Sequence, residues 1–109
     1  MNICALMGTV SRAARVTFQP ETGQPVVSFT VCVEEPRPTG DPFKTYIGIE
    51  CYGRSAMEAE TLTPGTLVAI EGKLSWKAYT HKGPKRSNLV VLARSVRVLA
   101  LTPTAAPVP

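Results

Sequence analysis

Two tyrosines stand six residues apart in the segment 44–52. Side chains of a β-strand point alternately to its two faces, so Tyr46 and Tyr52 share one face. The apolar residues between them share the other face and are expected in a core: Ile47, Ile49 and Cys51. A tyrosine ring on a strand surface is a flat platform on which an aromatic ligand group can stack. The alternative is that one tyrosine caps the core and the other is simply exposed.

The segment 67–79 repeats this alternation and adds cations. Lys73, Lys77 and Tyr79 fall on one face, which favours a ligand that carries both flat rings and negative charges. Trp76 falls on the opposite face, where we expect it to pack under the neighbouring hairpin. If the strand projects beyond the core, Trp76 is instead exposed, and we count it as a secondary ligand contact.

Further cations surround these two segments. The stretch 80–88 is predicted to be a flexible turn with three basic residues, Lys82, Lys85 and Arg86. Basic side chains on a flexible turn can close over a phosphate chain at little geometric cost. Two arginines near the N-terminus extend the basic path if they face the same groove, Arg12 and Arg15. The alternatives are a turn kept polar for solubility and arginines that contact no ligand.

The charge of the chain is unevenly distributed. Residues 1–71 carry all eight acidic residues and a net charge of −3, whereas residues 72–109 carry seven basic residues and a net charge of +7. This asymmetry predicts a continuous basic surface built by the C-terminal strands. Nucleic acid is the usual partner of such a surface in a small domain.

Catalysis, metal binding and disulfide formation are not indicated. The chain has one histidine, His81, and neither a glycine-rich phosphate loop nor a Gly-x-Ser-x-Gly motif. We therefore expect no enzyme, no cofactor and no small-molecule substrate. Three widely spaced cysteines without a Cys-x-x-Cys pair are expected to be reduced thiols within strands: Cys4, Cys32 and Cys51.

The rest of the chain indicates one small β domain. Its 109 residues, 44% of them hydrophobic, are enough for a single ordered core. Gly8 marks a candidate bulge or sharp bend and Gly72 a second candidate bulge, and the proline-rich stretch 34–42 is expected to be a loop. Proline and glycine separate five apolar segments that we predict to be strands: 3–18, 26–33, 44–52, 67–79 and 89–100.

One helix is predicted, over 54–62, between the third and fourth strands. Ser55 and Glu58 have the spacing of a capping box, and a Pro-Gly pair follows the helix. Its apolar side is expected to consist of Ala56, Met57 and Leu62.

Three strands, one helix and two further strands make up the element order of the OB-fold, a five-stranded Greek-key barrel. The predicted fold class is therefore all-β, with one short helix between strands three and four. We expect the barrel to span residues 1–101 and residues 102–109 to form a disordered proline-rich tail.

Four blocks of the sequence resemble the bacterial single-stranded DNA-binding protein family in order and spacing: 2–10, 23–31, 52–56 and 64–74. The last block carries a Gly-x-Leu-Val-x-x-Glu-Gly-x-Leu pattern. The resemblance implies an OB-fold that binds single-stranded DNA without sequence preference, in DNA replication, recombination or repair, and that forms a homotetramer. It also implies base stacking at three matching positions, Tyr46, Tyr52 and Tyr79.

Two other interpretations stay open. The short primosomal OB proteins of replication restart are similar in length and usually form dimers. A barrel that docks proteins and binds no DNA is also compatible, because a fold does not fix a function. Members of the first family commonly end in an acidic tip that recruits enzymes, whereas no acidic residue follows Glu71 here. We therefore expect this recruitment to be missing.

The sequence also bears on location. No apolar stretch reaches the length needed to span a bilayer, and no basic region precedes the first apolar run. We therefore expect a cytoplasmic, nucleoid-associated protein with no membrane partner.

Overall fold

The computed structural model contains a closed barrel of five strands. It describes residues 1–80 and 85–100, and for residues 77–80 and 85–87 only the backbone is described. A helix, α1 (Arg54–Ala59), lies between the third and fourth strands. The strands are β1 (Cys4–Phe18), β2 (Pro25–Glu35), β3 (Phe43–Tyr52), β4 (Leu67–Thr80) and β5 (Lys85–Ala100). The predicted five-stranded OB-fold barrel is confirmed.

The strands close the barrel in the order β1-β2-β3-β5-β4. β1 pairs with two neighbouring strands, with β4 over residues 4–9 and with β2 over residues 9–18. β3 and β5 form a parallel pair, and the other pairs are antiparallel. The β4–β5 ladder is long, because it continues to the pair Thr80 and Lys85.

β1 bends through irregular pairing with β2. Its register shifts fall between Val10 and Arg12 and between Arg12 and Arg15. The predicted bulge at Gly8 is wrong, because Gly8 lies in a regular ladder with β4. Gly8 instead permits close approach of β2, since a Cβ there would stand 2.7 Å from Cγ1 of Val31.

The predicted bulge at Gly72 is confirmed by a register shift in the β4–β5 ladder between Glu71 and Gly72. The two backbones approach closely at this point. A Cβ on Gly72 would stand 2.8 Å from the carbonyl carbon of Leu92 and 2.9 Å from Cα of Ala93. Any side chain at position 72 would therefore push the two strands apart.

The core is built from the inward side chains of the five strands. The side chains that are almost fully buried are mostly β-branched, as suits a strand interior: Val10, Val27, Val31, Ile49, Cys51, Val68 and Val91. Ile47 is half-buried, so the predicted inward face of β3 is correct. Cys32 is buried and Cys4 is half-buried, and both are free thiols. Within the described residues, no helix is long and apolar enough to cross a membrane.

The predicted capping box of α1 is wrong. Gly53 is the N-cap residue, and no side chain caps the helix. The Oγ atom of Ser55 lies 3.0 Å from the carbonyl oxygens of Tyr52 and Ala93. Oε1 of Glu58 accepts a hydrogen bond of 3.4 Å from the backbone N–H of Val96 in β5. Both side chains thus attach the helix to the barrel.

The apolar side of α1 also differs from the prediction. Ala56 and Leu62 are buried as expected, but Met57 is 73% exposed and Ala59 is buried in its place. α1 ends at Ala59 and does not continue to residue 62. The residues that the shorter helix buries against the barrel are small, Ser55, Ala56 and Ala59, so it can lie close against it.

Two predicted loops are shorter than expected. β2 continues through Glu35, and β5 begins at Lys85 instead of residue 89. Strand pairing accounts for both differences, since Glu35 pairs with Phe43 and Lys85 with Thr80. Residues 81–84, with His81 and Lys82, and the tail 102–109 lie outside the described residues.

We predict that Gly72→Ala and Gly8→Ala each lower the free energy of unfolding by about 1–3 kcal/mol, because both would force a Cβ against neighbouring atoms. Gly48→Ala is the matched control. A Cβ on Gly48 would meet only Cγ1 of Val90, at 3.5 Å. It should therefore leave stability unchanged or raise it by about 0.5–1 kcal/mol. Urea unfolding of the three variants measures this, and equal effects at the three glycines would contradict it.

Candidate nucleic-acid interface

The outward surface of β3 lies in the middle of a continuous sheet. Strand register places two rows of residues across it. One row runs through Arg12, Thr30, Gly48, Val90 and Ser75. The adjacent row runs through Arg15, Ser28, Glu50, Leu92 and Lys73. Residues that are opposite each other in register share a face of the sheet, so β1, β2, β3, β5 and β4 all contribute to this surface. We call it the β3 face.

A groove follows the β3 face. One cavity of about 240 Å³ lies over Gly48 and Glu50 and is bounded by Arg12 and Arg15. A second cavity, of about 630 Å³, extends the groove to Tyr46 and Asn88 and shares Arg12, Thr30 and Gly48 with the first. The two cavities adjoin over Gly48, where no side chain rises from the sheet. We call them together the β3 groove.

Both tyrosines of β3 lie on the predicted face. Tyr46 is 61% exposed and lines the groove, and Tyr52 is exposed at the other end of the strand. The Tyr52 hydroxyl donates a hydrogen bond of 3.0 Å to Oε1 of Glu50. Partial burial, together with this bond to a carboxylate, raises the pKa of Tyr52 above its usual value. Its hydroxyl therefore stays a donor at neutral pH.

Glu50 lies on the β3 face but is not among the ligand contacts predicted from the sequence. The alternation of β3 puts it on the same face as Tyr46 and Tyr52. It is only 7% exposed and is among the residues that line the groove. Ser28 and Leu92 flank it on the neighbouring strands. These neighbours follow from strand pairing, which the sequence alone does not reveal.

Lys73 lies on the β3 face and is exposed, at the base of the β4–β5 hairpin. Next to it, the Asn2 carboxamide donates to the carbonyl oxygen of Leu74 and accepts from its N–H, both at 2.9 Å. Asn2 thus secures this part of β4. Four other predicted contacts belong to the hairpin by backbone position, but their side chains lie outside the described part: Lys77, Tyr79, Lys85 and Arg86.

The expectation that Trp76 packs under the hairpin is wrong. Its side chain is 63% exposed, and its register partner Leu89 and its neighbour Leu74 are exposed as well. All three continue the inward face of the barrel strands, but β4 and β5 extend beyond the end of the barrel. The alternative expectation is confirmed, because β4 projects beyond the barrel and exposes Trp76.

Two arginines of β5, Arg94 and Arg97, lie elsewhere. Arg94 forms an exposed ion pair of 2.7 Å with Glu71. Arg97 lines a separate groove with Met7 and Ala69, on the outward face of β1 and β4. The β3 groove instead takes Arg12 and Arg15 from the acidic half of the chain.

The described part of the chain holds no group of three or more His, Cys, Asp or Glu side chains that could bind a metal ion. Cys51 lies in the core between Glu50 and Tyr52, and burial raises its pKa to about 11. A thiol with such a pKa is protonated at neutral pH and is a poor nucleophile or metal ligand.

A closed OB barrel with a groove over its third strand defines the architectural class of this protein. The sequence profile of the single-strand binding protein family matches residues 1–99. The chain therefore belongs to that family.

Individual relatives agree with this assignment. Single-stranded DNA-binding protein 3 of Clostridium acetobutylicum is 28% identical over 102 residues, which cover 91% of this chain and 71% of that protein. A single-stranded DNA-binding protein of Aquifex aeolicus is 27% identical over 104 residues, covering 91% and 70%. The fold is similar to that of the small single-stranded DNA-binding protein from Streptomyces coelicolor. The TM-score is 0.69 at 18% identity, over 88% of this chain and 92% of that one.

Proposed function

We propose that this protein binds single-stranded DNA without reading its sequence, protects it during replication, recombination or repair, and catalyses no reaction. The observation that carries the proposal is the exposed ring of Tyr46 beside a groove bounded by Arg12 and Arg15, in a chain of the single-strand binding protein family. Flat rings and cations together match a ligand of bases and phosphates.

Base stacking is assigned to the aromatic residues of the β3 face and the β4–β5 hairpin. Every base has a π-face, so an exposed ring binds any of them. Tyr46 presents its ring to the groove, and the hydrogen bond to Glu50 restrains the ring of Tyr52. Tyr79 and the exposed Trp76 would extend the stacking path along the hairpin.

Phosphate contacts are assigned to the cations along the same path. Arg12 bounds the groove on one side, and Lys73 lies on the opposite side of the β3 face. The remaining predicted contacts follow along the hairpin, Lys77, Lys82, Lys85 and Arg86. Because phosphate contacts release counterions, affinity should fall as salt rises.

Self-association is assigned to the outward face of β1. Met7 is an exposed apolar side chain there, Ala5 and Ala69 lie beside it, and Ile3, just before the strand, is exposed as well. In the described ladders, β1 pairs with β2 only from Thr9 onward, so the edge of residues 4–7 away from β4 is available to another chain. We propose a homotetramer. A dimer would favour the replication-restart interpretation.

Replacing Tyr46, Tyr52 or Tyr79 with Ala should weaken binding of a dT oligomer by about 1–3 kcal/mol for each base that is stacked. Phe should largely restore affinity, because the ring carries the interaction. Fluorescence titration measures this, with Met57→Ala on α1 as the control for removal of an exposed apolar side chain. If Phe costs as much as Ala, stacking is the wrong assignment.

Changing the five basic residues Lys73, Lys77, Lys82, Lys85 and Arg86 to Gln should flatten the plot of log affinity against log salt. The slope should change by roughly 0.7 for each phosphate of a single strand that the variant no longer neutralises. Arg54→Gln, at an exposed position of α1, should leave the slope unchanged. An unaltered slope in the fivefold variant would show that these residues do not contact phosphates.

Light scattering at micromolar concentration should give the mass of a tetramer. Met7→Glu should reduce that mass, because it places a charge in an apolar contact. Met57→Glu makes the same change at an exposed methionine of α1 and should have no effect. A monomeric native protein would refute the assignment.

A further inference from the structure

A further cavity, of about 390 Å³, lies at the base of the β4–β5 hairpin. Its charged lining residues are Lys73 and Arg94, and Leu92 lies between them along the cavity wall with Asn2 nearby. Leu92 and Lys73 also belong to one of the rows that cross the β3 face. The cavity therefore adjoins the surface to which we assign DNA, on the side where that surface ends. We call it the Arg94 cavity.

The bulge in the β4–β5 ladder gives Arg94 its position. Gly72 pairs with Ala93, and Glu71 pairs with Ser95. Arg94 lies between these pairs and is the extra residue of β5. A bulge redirects the side chain beside it, and because Ala93 is buried in the core, Arg94 projects from the outer side of the barrel.

The Arg94 cavity presents hydrogen-bond donors to a ligand. Lys73 and Arg94 are exposed cations. The Asn2 carboxamide is held by its two hydrogen bonds to the backbone of Leu74 and retains a second N–H. A guanidinium binds a phosphate group through two parallel N–H bonds, and an ammonium binds it as a point charge. Two cations and an amide N–H therefore suit a phosphate group.

Glu71 competes with such a ligand for Arg94. The two side chains form an ion pair of 2.7 Å, in which Arg94 is 78% and Glu71 51% exposed. An ion pair this exposed contributes little free energy, because water screens it. A phosphate in the Arg94 cavity can therefore replace the carboxylate at small cost, and the freed Glu71 is solvated.

We propose that Arg94, Lys73 and Asn2 form a phosphate site that continues the path of bound DNA from the β3 groove onto the base of the hairpin, and that Glu71 limits DNA affinity by holding Arg94. This rests on the proposed function, since the phosphate belongs to the bound single strand. It adds a contact outside the β3 groove and a carboxylate that opposes it.

The test measures affinity for a dT oligomer of about 16 nucleotides, the upper site size of one OB fold, over a range of salt concentrations. Arg94→Gln should flatten the plot of log affinity against log salt by roughly 0.7, the value for one phosphate contact on a single strand. Glu71→Gln should raise affinity about twofold to fivefold at low salt, which is what an exposed ion pair can withhold. In the double variant this gain should disappear, because no arginine remains to be released.

Two matched controls make the same charge changes elsewhere. Arg54→Gln and Glu60→Gln, at exposed positions on and just after α1, should keep the native slope and affinity. Arg94 and Glu71 are exposed as well, so their variants leave the core intact.

Chemical labelling shows whether Arg94 itself contacts DNA. Phenylglyoxal modifies exposed arginines, and peptide mass spectrometry locates the product. The bound oligomer should protect Arg94 and leave Arg54 reactive. If Arg94 reacts equally in the free protein and the complex, or if Arg94→Gln and Glu71→Gln both keep the native slope and affinity, the Arg94 site is wrong while DNA binding stands. If the native protein does not bind the oligomer, the proposed function itself fails.

Discussion

Close approach of backbones at two glycines is the constraint on which this barrel depends. β1 must pair with β4 in its first half and β2 in its second, and β4 must leave the barrel to form a projecting hairpin. Gly8 lets β2 come against β1, and Gly72 lets β5 come against β4 at the bulge. Closing a sheet requires strong local bending, which bulges and missing side chains supply. Larger residues at these points would push the strands apart and open the barrel.

Closure of the barrel also determines which face of each strand is buried and which is exposed. Inside the barrel, alternate residues pack into a core of small β-branched side chains; outside, the other residues line up in rows across five strands. Gly48 and Glu50 become neighbours of Arg12 and Arg15 only because the barrel brings β1, β2 and β3 side by side. Beyond the barrel end, the same alternation leaves Trp76 and Leu89 exposed, since no opposing sheet covers them in the described residues.

Local patterns predicted the fold well and the site in part. Apolar segments separated by proline and glycine identified five strands, and period-two alternation identified the outward face of Tyr46 and Tyr52 and the buried positions Ile49 and Cys51. The capping-box spacing of Ser55 and Glu58 misled, because both side chains find partners on β5 that are distant in sequence. Strand lengths also depended on pairing, which extended β2 and β5 into segments that composition alone marks as loops.

Charge shows the same limit of sequence reasoning. The basic C-terminal half of the chain predicts an anionic partner, but the fold distributes its cations over several surfaces. Arg94 is paired with Glu71, and Arg97 faces the β1–β4 side. The β3 groove draws two of its cations, Arg12 and Arg15, from the acidic half, and an acidic residue, Glu50, also lines it. The sum of charges along a sequence can thus predict the sign of the charge on a ligand, but not which residues form its site. Which charged residues line the β3 groove depends on strand pairing, which the order of charges along the sequence does not reveal.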